Sequence, residues 1–101
     1  MEPTLAGGLS EEKAATKEVQ DLCNAVKSEF LKQCGINAEK FVAVRYRTQV
    51  VAGTMYYVAM DIGGEQYCHV TILEHLRHTG KKPSLEKVKC GKTKDDCITG
   101  S

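Results

Sequence analysis

An α+β fold, one long N-terminal helix packed on a twisted antiparallel sheet of four to five strands, follows from three features of this 101-residue chain. A single apolar stripe with helical spacing lies in the first third. From Phe41 onward the pattern changes to period-two alternation in separate segments. Glycine-bearing turns divide those segments, which is the order of a meander and not of alternating strands and helices. A chain this short makes one domain with a modest core, so residues 1–101 read as a single domain with residues 1–10 as a flexible arm.

The arm carries Pro3 and the pair Gly7-Gly8, and it lacks any apolar periodicity. In the helix that follows, Val19, Leu22, Cys23, Val26 and Phe30 fall on one face. Thr16 suits the N-cap, with Glu18 in the first turn where a negative charge meets the helix dipole; Ser10 stands as the cap of an earlier start. Gly35 after Cys34 is a stop signal. Lys17, Gln20, Asp21, Asn24 and Lys27 form the solvated face.

Strand patterns come next. Phe41 to Gln49 alternates Val42, Val44 and Tyr46 against Ala43, Arg45 and Arg47. Thr54 to Ile62 is rich in Tyr, Val and Met, and Gly63-Gly64 marks a tight turn. Glu65 to Leu73 alternates again, with Cys68, Val70 and Ile72 on one side and Tyr67, His69 and Thr71 on the other. A polar loop runs from Glu74 to Pro83, and a last strand lies within Ser84 to Ile98, where the apolar positions Leu85, Val88 and Cys90 alternate poorly. The sheet needs a cover on one face, and the helix supplies it. In a meander, alternate turns share one end of the sheet. The loops at 50–53 and 75–82 therefore lie side by side, with Gly63-Gly64 at the far end.

The first of those loops is built against turn chemistry. Gln49-Val50-Val51-Ala52-Gly53 sits at a hairpin tip, where Gly, Asn, Asp, Ser and Pro are the usual residues. Apolar β-branched side chains at an exposed tip gain nothing from folding. They point to a surface that is buried in a partner.

Composition narrows the partner. The net charge of +1 offers no field for nucleic acid or an anionic membrane, and no apolar run is long enough to span a bilayer. Met1 to Glu12 has neither a basic nor an apolar leader segment, so a cytoplasmic location is expected. The five cysteines, Cys23, Cys34, Cys68, Cys90 and Cys97, are an odd set with no CxxC, which suits free thiols in a reducing compartment. Cys23 and Cys68 read as core, and Cys34, Cys90 and Cys97 as exposed thiols; Cys90 and Cys97 would bridge only if oxidised. His69, His75 and His78 have no ligand spacing, so neither metal nor cofactor is expected. Cys68 and His69 are neighbours on a strand and point to opposite faces, which rules them out as a nucleophile–base pair; no catalytic residue is assigned. The lysines from Lys81 to Lys94 are interspersed with acids and read as a solvated face.

Several segments together resemble one known family. Gly7-Gly8-Leu9-Ser10-Glu11 with Ala15-Thr16, then Ala43-Val44 leading to Thr48-Gln49-Val50-Val51-Ala52-Gly53-Thr54, then Tyr67 and His69, Leu76-Arg77-His78 and Lys94-Asp95-Asp96 are similar in order and spacing to the stefins. These are the cytosolic, disulfide-free branch of the cystatins, the reversible tight-binding inhibitors of papain-like cysteine proteases. The resemblance implies a cystatin-like fold and three contact points on the protease cleft. They are the arm at Gly7 and Gly8, the first loop Gln49, Val50, Val51, Ala52 and Gly53, and the second loop Leu76, Arg77 and His78. It implies partners of the papain class, such as cathepsins B, H, L and S. A monomer is expected, with a domain-swapped or disulfide-linked dimer as the other states open to it. Met55 and Arg77 depart from the family pattern, which has asparagine and proline there, and three additional residues precede the glycine pair. The alternatives are a non-inhibitory binding module on the same fold and a protein that dimerises through its thiols.

Overall fold

The computed structural model describes residues 9–35, 39–51, 53–75 and 80–98, with Val51 described by its backbone alone. A five-stranded antiparallel sheet has the order β1 (Lys13–Ala14), β2 (Val42–Val51), β3 (Gly53–Gly63), β4 (Gln66–Glu74) and β5 (Ser84–Lys92). It is the expected meander, with the short β1 added outside β2 through the pairs Lys13–Tyr46 and Ala14–Arg45.

The expected single helix is two helical stretches, α1 (Lys17–Ala25) and α2 (Lys27–Cys34). Thr16 caps α1, its hydroxyl accepting from the Val19 N–H at 3.2 Å. Between the stretches Val26 leaves helical geometry at φ −109° and ψ 10°, and its N–H donates to the Cys23 carbonyl at 3.1 Å. That tighter bond is a 3₁₀-type turn, and the apolar stripe continues through it. Val26 itself is buried in the core. Gly35 ends α2 in the left-handed conformation at φ 63°, with its N–H on the Leu31 carbonyl.

The stripe packs as expected. Val19, Leu22, Cys23, Val26 and Phe30 meet Val58, Met60, Cys68, Val70, Ile72 and Leu85 of the sheet. The α1 stretch lies on β2 and α2 on β5, so the helix spans the width of the sheet. Phe30 is fully buried, with its ring 4.9 Å from that of Phe41. Removing such a ring from water contributes about 2–3 kcal/mol. Desolvation pushes the Cys23 thiol up to about 12, so this cysteine stays a neutral core residue.

Two side-chain assignments change, both at β2. Register shifts between Ala43 and Arg45, so Val44 is an extra residue in a bulge. The bulge reverses the alternation beyond it. Ala43 and Tyr46 both pack on the helix side, whereas Val42 and Val44 are exposed. Gln20, expected on the solvated face, instead clamps this irregular edge. Its Oε1 accepts from the Ala43 N–H at 2.7 Å, and its Nε2 donates to the Phe41 carbonyl at 3.0 Å. A bulged strand start leaves backbone groups without ladder partners, and one amide side chain supplies both. A second bulge, at Glu86 between the pairs Thr71–Lys87 and Ile72–Leu85, explains the poor alternation of β5: Leu85 and Val88 reach the same side although three residues apart.

The other face of the sheet is covered by the C-terminal segment. Ile98 is buried with Tyr57 and Ala59, and Leu9 and Met55 pack against them. Arg45 and Arg47 hold this segment through its carbonyl groups. Arg45 donates to Lys94 and Asp96, and Arg47 donates to Ile98 at 3.0 Å and to Ser10 at 2.8 Å. Glu12 lies 3.0 Å from Arg45 and balances its charge. His69 sits on this face with its Nε2 buried and without a hydrogen-bond partner among the described residues. Desolvation first, then Lys92, Arg45 and Lys89, lower its pKa below the ordinary 6.5, against a smaller opposing pull from Asp96.

That arrangement has a consequence in pH. Between 6.5 and the lowered native pKa the unfolded chain binds a proton that the folded one refuses. Stability therefore falls as pH falls from 6.5 through this window. In urea unfolding at about pH 7.5 and about pH 5.5, the loss of midpoint on acidification should be smaller in His69→Gln than in the wild type. An equal loss in both would remove His69 from the account.

Candidate functional site

The first hairpin is tight at its tip. β2 and β3 stay paired out to Val50–Thr54 and Val51–Gly53. Val50 is 73 % exposed, the most exposed of the large apolar side chains among the described residues. Gly53 has φ +125°, which side-chain-bearing residues rarely adopt. A Cβ there would lie 3.3 Å from the His75 Cα and collide with the Glu74 carbonyl oxygen. The glycine therefore lets the hairpin tip close directly onto the start of the second loop.

Two neighbouring tyrosines brace this end from opposite sides of β3, as successive strand residues must. The Tyr57 hydroxyl donates to Gln49 Oε1 at 2.6 Å, and the Tyr56 hydroxyl donates to Glu74 Oε1 at 3.3 Å. Burial raises the pKa of both phenols, and the Glu74 carboxylate adds to the rise at Tyr56. Both therefore remain neutral donors at physiological pH. At the base of the second loop, Ser84 Oγ stands 3.5 Å from His75 Nε2 and donates to Glu86 at 2.6 Å.

The N-terminal segment reaches the same end. Lys13 pairs with Tyr46, and Ser10 pairs with Thr48 through its N–H at 2.8 Å and its Oγ at 2.9 Å. Followed backward, the chain thus climbs β2 toward the tip, and the described part begins at Leu9. Of the sequence-predicted contact residues, Gln49, Val50 and Gly53 lie together at this edge, with the Val51 backbone. Gly7, Gly8, Ala52, Leu76, Arg77 and His78 lie outside the described residues. Sequence reasoning did not place Tyr56, Tyr57 or Glu74 at this edge, and it took Ser10 as a helix cap and as part of the family resemblance, not as a partner of Thr48. The adjacent tyrosines were the available signal, since each must place a hydroxyl on a different face.

The edge is apolar at the exposed Val50 and bordered by paired backbone. Among the described residues, no three His, Cys, Asp or Glu side chains come together to hold a metal, and no helix is long and apolar enough to cross a membrane. The cysteines depart from the expectation of free thiols: Cys90 is bonded to Cys68, not to Cys97. Cys23, Cys34 and Cys97 are free. A register shift brings this about. Tyr67 pairs with Lys92 and His69 with Lys89, so Cys68 faces the bulge that carries Cys90.

Known proteins match this chain over almost its whole length. Residues 7–95 match the cystatin domain family. The pig protein named leukocyte cysteine proteinase inhibitor 1 is 42 % identical over 99 residues, covering 98 % of this chain and 96 % of its own. Pig cystatin-A8 is 41 % identical over 99 residues, at 98 % and 96 % coverage. Human cystatin-A is 38 % identical over 96 residues, at 95 % and 98 % coverage.

The close approach at Gly53 yields a measurable contrast. Gly53→Ala should cost more than Gly64→Ala, where an added Cβ meets nothing and only the positive φ is strained, at about 1–2 kcal/mol. Urea unfolding of the two variants gives the comparison. Equal losses would mean that the hairpin tip does not rest on Glu74.

Proposed function

The chain belongs to the cystatin family, within its stefin branch, and we propose that it is a reversible, tight-binding inhibitor of papain-like cysteine proteases such as cathepsins B, H, L and S. The family consists of protease inhibitors and not enzymes, and the pig relative named leukocyte cysteine proteinase inhibitor 1 carries that role in its name. The observation that carries the reading is the hairpin tip. An apolar β-branched residue stands 73 % exposed on a strand pair closed to its last residue and wedged against Glu74 and His75.

The protease cleft is concave with partly apolar walls, and a convex apolar edge loses water on entering it. Val50 contributes about 1.5–3 kcal/mol if fully buried there. Because the tip is paired and braced, docking orders little that was free, which favours slow dissociation. Gly7 and Gly8 extend the contact along one side of the cleft, and Leu76, Arg77 and His78 along the other. No substrate-like peptide bond is offered to the nucleophile, so the enzyme is blocked without cutting its inhibitor. The same reading takes the protein as a cytoplasmic monomer, in keeping with the stefin resemblance.

Titration of papain and a cathepsin L-type enzyme with a fluorogenic substrate, under reducing conditions, tests this. Stoichiometric, reversible loss of activity is expected, and Val50→Asp should weaken it at least about tenfold, the lower bound set by burying one valine. Absence of inhibition at micromolar concentration by a folded protein would overturn the reading.

A further inference from the structure

At the opposite end of the sheet from the hairpin tip, three sulfurs from three elements converge. Cys68 of β4 is fully buried and bonded to Cys90 of β5. The free Cys34, in the last position of α2, has its Sγ 3.5 Å from the Cys90 Sγ. That separation is van der Waals contact between sulfurs. Beside them lies an open cleft of about 330 Å³ lined by Gln33, Cys34, Ile62, Gln66, Val88 and Cys90. Three separate features of the fold create the contact. Gly35 ends α2 at Cys34, the bulge in β5 turns Cys90 toward Cys68, and the packing of α2 on β5 sets the helix end over both.

We propose that Cys90 is a switching sulfur, bonded to either Cys68 or Cys34, and that the two forms interconvert by intramolecular thiol–disulfide exchange. The Cys34 thiol loses its proton to solvent and the thiolate attacks Cys90 Sγ. The Cys34–Cys90 bond forms as the Cys68–Cys90 bond breaks, and the Cys68 sulfur leaves with the electron pair and takes up a proton. One disulfide is consumed and one is made, so no oxidant or reductant enters the step. In a reducing compartment the starting disulfide arises only on oxidation, and exchange then decides which pair stays bonded. The two forms differ mechanically. Cys68–Cys90 joins neighbouring strands separated by 22 residues, whereas Cys34–Cys90 would fasten the helix end to the sheet across 56 residues. The longer closed loop restrains the unfolded chain more. Burial raises the pKa of the Cys34 thiol, so exchange should quicken as pH rises.

Two free cysteines serve as internal controls. Cys23 is buried in the core under α1, and Cys97 is exposed in the C-terminal segment. The test starts from folded wild-type protein in a glutathione redox buffer, trapped with N-ethylmaleimide after increasing times and mapped by non-reducing peptide mass spectrometry. Both the Cys68–Cys90 and the Cys34–Cys90 linked peptides are expected, with Cys23 and Cys97 left out of the intramolecular bridges. Cys68→Ala should retain Cys34–Cys90 alone, and Cys34→Ala should retain Cys68–Cys90 alone. Recovery of Cys68–Cys90 alone from the wild type, with Cys34 fully alkylated, would overturn the proposal. So would a scrambled mixture that includes Cys23 and Cys97. Linkages are read directly, so the result stands apart from whether the hairpin tip inhibits a protease.

Discussion

At one end of this sheet two backbones meet with no space for a side chain. Gly53 rests against the Glu74 carbonyl and the His75 Cα, and the features proposed for protease binding depend on that contact. It sets the point where the first hairpin must turn and brings Glu74 and His75, at the start of the second loop, beside it. It also leaves the β2–β3 ladder paired to its last residue, so Val50 stands on a rigid support instead of a free loop. A side chain at position 53 would force these strands apart. The glycine is thus an architectural requirement before it is a means of approaching a protease.

The rest of the molecule holds that edge steady by covering both faces of the sheet. The two-part helix buries its stripe on one face, while Ile98, drawn in by Arg45 and Arg47, closes the other. Tyr57 and Tyr56 carry this support outward to Gln49 and Glu74. Rigidity of this kind favours a blocking surface: entropy already lost on folding is not lost again on docking. The sulfur cluster lies at the far end, next to Ile62 and Gln66, where a change of bonding alters the helix–sheet attachment and leaves the hairpin tip in place.

Much of this was legible in the residues. The helical stripe, the Thr16 cap, the Gly35 stop and the meander all rest on local periodicity and turn chemistry, and each stands in the structure. The placement of Gly53 beside Glu74 and His75, where the second loop starts, follows from the same meander topology. What escaped depends on pairing between distant segments. A bulge at Val44 or Glu86 is a property of two strands in register, so the alternation of one strand misplaces Tyr46 and obscures Val88. The Cys68–Cys90 pair follows from another such shift and has no spacing signature. Gln20 and the two arginines act on backbone carbonyl and amide groups, which every residue carries and no motif marks. The break at Val26 likewise answers to the surface beneath the helix.

The most direct test of a rigid tip-end wedge is hydrogen–deuterium exchange of the free protein against its complex with papain. Slowed exchange is predicted at residues 49–54 and at 75–83, with the turn at Gly63-Gly64 unchanged. Protection centred on that far turn, or none at the hairpin tip in a saturated complex, would contradict the account.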